Sequence, residues 1–261
     1  MKSFKKLILF IFFMGFVPFA WADQAQHKEQ QALGFLKANM PQQDVAVLKP
    51  EFLVENIRLA YQAIGEAPWG KDIPQDIFLN DILPYAVLNE RRDDWREDFH
   101  RRFIRIAKGS KTIDQAVIAL NKYIFDALHV SYSATKRPKP DQSPYESIQA
   151  HYASCTGLSI LLTDALRSVG IPARIAAIEQ WPDKSGNHTW VEIWDGQWHY
   201  VGAAESVLLD HAWFTKKASR ADAKHPIYAT SFKKTSLRLP MPWAPGLKFV
   251  YAVDVTKNYK R

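Results

Sequence analysis

Cysteine is almost missing from this sequence: Cys155 is the only one in 261 residues. No disulfide can form within the chain, and a cysteine-rich structural zinc site is excluded. There is no glycine-rich phosphate loop, no internal repeat and no low-complexity tract. Alternating acids at calcium-loop spacing are absent as well, so no metal or cofactor is expected. A large excess of charge of one sign is absent too. The net charge is +7, and Lys2, Lys5 and Lys6 supply part of it at the extreme N-terminus. That balance is too mild to argue for nucleic acid. Past the first residues no long uncharged apolar run occurs, which leaves no later candidate for a membrane span.

What is present begins with MKSFKKLILFIFFMGFVPFAWADQ. A basic start, an apolar run from Leu7 to Phe19 and the small-x-small triplet Ala20-Trp21-Ala22 predict a secretory signal peptide cleaved after Ala22. A retained membrane anchor is the competing reading, and the short apolar run disfavours it. The expected location is periplasmic or secreted, with no stable membrane insertion after cleavage. Cysteines in such oxidising compartments usually pair. A lone thiol there is therefore either reactive, intermolecular or buried as a small apolar group.

The rest divides into two halves. Residues 23–110 read as a helical N-terminal region interrupted at Pro68, Pro74 and Pro84, and TIDQAVIALNKYIFDAL (112–128) reads as a helix capped by Thr112. The run RRDDWREDFHRR (91–102) alternates in sign and predicts a solvated helix face. After the proline-rich stretch 136–144, Leu158, Leu161, Leu162, Ala165, Leu166 and Val169 recur at helical spacing, predicting a helix buried along one face and stopped by Gly170 and Pro172. ARIAAI (173–178) predicts a strand. NHTWVEIW (187–194) and WHYVG (198–202) flank Asp195-Gly196 as a β-hairpin. The fold class is α+β, with a helix packed on an antiparallel sheet. Expected divisions are a leader at 1–22, the helical region at 23–110, a core at 111–215 and an extension at 216–261 packed on that core.

Cys155 is placed at the start of its helix with Ser154 as N-cap. Unpaired amides and partial positive charge there favour a thiolate and can hold a developing oxyanion. His188 opens the first hairpin strand and is positioned to accept the thiol proton. Read from spacing alone, His188 can equally be structural. His151, Cys155 and His188 can also be read as three metal ligands, though His151 precedes the helix and need not share its face. Trp181, Trp190, Trp194 and Trp198 read either as packing or as walls of a cleft. Arg174 and Glu192 read as a cross-strand pair, Trp69 as a turn anchor, and His199 as a surface or packing residue.

The segments CTGLSILLTDALRSVGIPARIAAI and NHTWVEIWDGQWHYVGAAE resemble the transglutaminase-like superfamily over about residues 145–215. The flanking AWF and IYATSFKKT resemble one exported bacterial subgroup of it. The resemblance implies a papain-like core with Cys155 as nucleophile and His188 as base, acting on amide or peptide bonds through a thioester. The expected substrate is a protein or peptide, including cell-envelope peptide. The family carries its acid on the second hairpin strand, where this chain has Gly202. Glu205 is the first substitute and Asp210 the second, while Asp195 belongs to the turn. The alternative is a degenerate module that binds an envelope protein or glycan.

Overall fold

A computed structural model describes residues 19–205 and 207–260; of the signal peptide expected at 1–22, residues 1–18 lie outside the described residues. Helices dominate the first half: α1 (Phe19–Asn39), α2 (Gln42–Val47), α3 (Pro50–Glu66), the single turn α4 (Gln75–Ile77), α5 (Arg96–Gly109) and α6 (Ile113–Ala127). Two of them start where the sequence supplies a clear reason. Pro50 stands in the first turn of α3, where its missing N–H costs nothing, and Thr112 caps α6 by accepting from the Gln115 N–H at 3.3 Å. Among the described residues no helix is long and apolar enough to cross a membrane.

The second half interleaves β1 (Ser131–Tyr132), α7 (Pro144–Ala150), β2 (Tyr152–Ala153) and α8 (Cys155–Ser168). Then follow β3 (Ala173–Ile178), β4 (His188–Trp194), β5 (Trp198–Val201), the short α9 (Thr215–Ala218), β6 (Ile227–Ser231), β7 (Leu237–Arg238) and β8 (Tyr251–Asp254). Six strands form one antiparallel sheet in the order β5-β4-β3-β6-β8-β7. β1 and β2 form a separate parallel ribbon. The C-terminal strands therefore extend the same sheet that the hairpin begins. Gly196, at φ 121°, takes the left-handed turn between β4 and β5. Arg174 and Glu192 face each other across β3 and β4 and pair at 2.8 Å.

The centre of the molecule is α8, held between the sheet on one side and α3, α5 and α6 on the other. Its expected burial along one face is corrected: every residue from Thr156 to Ser168 is buried. The polar face is kept inside because most of it finds partners. The Arg167 guanidinium donates to the carbonyls of Asp81, Ala173 and Ala86. Asp164 is buried with neither carboxylate oxygen bonded, and burial pushes its carboxyl well above the usual range. α8 ends at Gly170, whose φ of 77° requires glycine, and Trp69 donates to the Gly170 carbonyl at 2.9 Å.

The solvated face expected over 91–102 is also corrected. Arg96 is buried and donates to Asn56 and to the carbonyls of Ile82, Leu83 and Pro84, while Arg92 pairs with Asp44 at 2.9 Å. Asp93 and His100 are buried too. The Arg92 and Arg96 guanidiniums satisfy carbonyls in the proline-broken stretch before α5. Arg91, Asp94, Glu97, Arg101 and Arg102 do stay exposed, as the alternating charge suggested, and Arg101 and Arg102 pair with Asp98.

Candidate active site

β2 runs through Ser154 straight into α8, so the thiol sits where an extended chain turns into a helix. Ser154 Oγ accepts from the Gly157 N–H at 3.1 Å and donates to the Pro140 carbonyl at 2.6 Å. That double bond of one hydroxyl fixes both the cap and the proline-rich loop over it. Cys155 is the first helical residue and is half-buried. Burial pushes its thiol up from the ordinary value, and the Glu205 carboxylate pushes the same way. The main-chain amide of Thr189 and the hydroxyl and amide of Thr156 pull against them. The helix start thus works as expected in direction, but burial outweighs it and the resting thiol is protonated at neutral pH.

α8 is stitched to β4 beside that sulfur. Thr156 and Thr189 share a hydroxyl–hydroxyl bond of 3.1 Å, and Ser159 Oγ donates to the Thr189 carbonyl at 3.3 Å. Thr189 follows His188 in sequence, so these bonds fix the register between the helix that Cys155 begins and the strand that His188 begins. His188 pairs with Ile178 at the end of β4 and is buried. Its imidazole is surrounded by rings: Trp213 and Phe214 at 4.8 Å, Trp190 at 5.7 Å and Trp181 at 6.3 Å between centroids. Burial lowers its pKa to about 4, and Nε2 has no hydrogen-bond partner. The imidazole is neutral at pH 7.

The acid position is occupied by a clamp. Asn121, reaching up from α6, donates to the Gly202 carbonyl at 3.0 Å and accepts from the Ala204 N–H at 2.9 Å. The chain turns there, with Ala204 at φ 65° and the Glu205 N–H bonded to the Gly202 carbonyl. The turn carries Glu205 to the cleft, where it accepts from Trp213 Nε1 at 2.8 Å and its carboxyl is pushed up by partial burial. Glu205 is therefore linked to His188 only through the Trp213 ring. Asp210 goes elsewhere: its carboxylate takes His199 Nδ1 at 2.6 Å and the Tyr200 N–H at 3.0 Å. Asp195, in the turn, sits 3.3 Å from the other nitrogen of His199.

Cys155, His188 and Glu205 line one cleft of about 710 Å³, together with Trp213, Trp243, Arg137 and Tyr132. His151 does not line it. It caps α7 in a left-handed conformation with Nδ1 at 3.1 Å from the His129 carbonyl. Among the described residues no three His, Cys, Asp or Glu side chains gather as metal ligands. Of the four tryptophans noted in the sequence, Trp181 and Trp190 stack in the core behind His188, and Trp198 lies under the Arg174 guanidinium at 3.5 Å. The cleft tryptophans, Trp213 and Trp243, are different ones. The AWF stretch was the one signal for Trp213, and nothing local marks Trp243.

A transglutaminase-like superfamily model matches residues 101–203, a segment that contains both Cys155 and His188 and ends just before Glu205. That segment is thus similar to a transglutaminase-like core, and the fold that holds it is α+β. A solved structure from Cytophaga hutchinsonii, provisionally described as a cysteine protease, is similar at 17% identity and a TM-score of 0.41. The similarity covers 73% of this chain and 60% of that one. No curated protein matches the chain.

Proposed function

We propose that this protein is an exported cysteine enzyme that cleaves or transfers amide bonds through a thioester on Cys155. The observation carrying this reading is that Cys155 and His188 line one cleft, with the imidazole Nε2 buried and without any hydrogen-bond partner. With the thiol shifted up and the imidazole down to about 4, the resting pair is neutral. The proton moves during attack: His188 takes it from sulfur as the S–C bond to the substrate carbonyl forms. In this reading the oxyanion is held by main-chain amides at the start of α8. The C–N bond then breaks, and the amine leaves with the proton from His188. Water releases the acyl group as an acid; an amine in its place gives a crosslink.

Glu205 serves as the acid of this site at one remove, holding Trp213 against the imidazole instead of bonding it. Export is supported by the N-terminal sequence. The degenerate-binder reading draws on Gly202, where the family acid is replaced by a main-chain clamp. A hydroxylamine trap separates the two. Incubated with mixed peptides, the enzyme forms new termini or hydroxamates that Cys155→Ala does not; a binder forms neither and retains peptide unchanged.

A further inference from the structure

The two-residue ribbon beside the nucleophile has one strand edge that pairs with no other strand among the described residues. In the parallel pair β1–β2, Ser131 N–H donates to the His151 carbonyl at 3.0 Å and Ser133 N–H to the Ala153 carbonyl at 2.9 Å. Alternate residues of a strand direct their main-chain groups to opposite edges. Tyr132, between those two serines, therefore turns its own N–H and C=O to the outer edge. Its side chain is exposed at 59%. The inner strand of the same ribbon, β2, leads through Ser154 into Cys155, so the open edge and the thiol are fixed to one another.

The cleft is longer than its central chamber. A second cavity of about 370 Å³ shares Tyr132 and Glu205 with it, and a third of about 420 Å³ shares Pro242. Cys155 thus lines a trough with further space adjoining it at Tyr132 and at Pro242. A single amino-acid amide would fill only the central part. A glycan has no main-chain pattern to match a strand edge, whereas a polypeptide does.

We propose that the trough takes an extended polypeptide, which adds as a third strand on Tyr132 of β1 and lays its reactive amide over Cys155. The inference rests on the reading of Cys155 as an acyl-transfer nucleophile, but the binding it describes does not need turnover. Backbone pairing supplies affinity that is tolerant of sequence, and specificity falls to the side-chain positions next to the thiol.

The test uses immobilised full-length Cys155→Ala protein and three pools: random decapeptides, random tetrapeptides and acetylated single-residue amides. Decapeptides are expected to be retained at least tenfold better than single-residue amides. Backbone N-methylation of the decapeptides, which removes strand donors without touching the protein, should abolish the difference. Tyr132→Pro should do the same and Tyr132→Ala should not, because only proline removes the edge N–H. Equal retention of all three pools, or decapeptide retention indifferent to N-methylation, overturns the proposal. Length-dependent, N-methyl-sensitive retention without turnover by wild type supports the strand edge and counts against the proposed chemistry alone.

Discussion

His188 and His199 stand on the two strands of one hairpin, β4 and β5, in opposite surroundings. His199 has a carboxylate at each nitrogen, Asp210 at 2.6 Å and Asp195 at 3.3 Å, and it does not line the cleft. His188 has four aromatic rings, an unbonded Nε2 and a place beside Cys155. An imidazole held between two carboxylates is a peg that closes the hairpin and anchors the 203–210 loop. An imidazole kept neutral among rings can only gain a proton from something that approaches it. The hairpin thus has one histidine whose hydrogen bonds are used for structure and one whose proton-accepting capacity is left open.

That contrast can be broken at several points. The largest expected effect is His188→Ala, which should slow turnover by about 10²–10⁴-fold, the usual span for a positioned general base. His199→Ala should leave turnover nearly unchanged in the same assay. Next comes acid stability. His188 titrates at about 4 in the fold and near 6.5 when unfolded, so its contribution is whole above the unfolded value and is lost as pH falls through the folded one. Urea midpoints should show wild type losing about 3 kcal/mol between pH 6.5 and 4 from this group, with His188→Gln sparing that loss.

A smaller effect is expected at Asp210→Ala. It removes acceptors from His199 and the Tyr200 N–H and should cost about 1–2 kcal/mol by denaturant unfolding. Alkylation of Cys155 should not change. Smallest of all, Glu205→Gln keeps an acceptor for Trp213 while removing the charge that raises the thiol. The pH profile of Cys155 alkylation should then move toward lower pH.

What the sequence made legible is the part governed by local rules. Ser154 caps α8, Gly170 ends it, Asp195-Gly196 turns the hairpin and Arg174 meets Glu192, because each depends on a few neighbouring residues. The surroundings of His188 were not legible. Trp213 and Phe214 reach it from a loop more than twenty residues on, and the Asn121 clamp on Gly202 comes from a helix eighty residues earlier. The run 91–102 misled for a related reason. Alternating charge predicts solvent only when nothing nearby needs donors, and here broken backbone at 82–84 needs them from Arg96. The polar face of α8 was hidden in the same way, since Ser159, Arg167 and Ser168 bond main-chain carbonyls that carry no sequence signal.

The account's central claim, that His188 is the base for Cys155 and acts without a carboxylate of its own, is tested most directly by iodoacetamide alkylation from pH 5 to 9. Wild type should label Cys155 well below the pH at which its shifted thiol ionises, with His188→Ala slower at every pH under that point and His199→Ala matching wild type. Identical profiles for wild type and His188→Ala, both rising only as the thiol itself ionises, would contradict it.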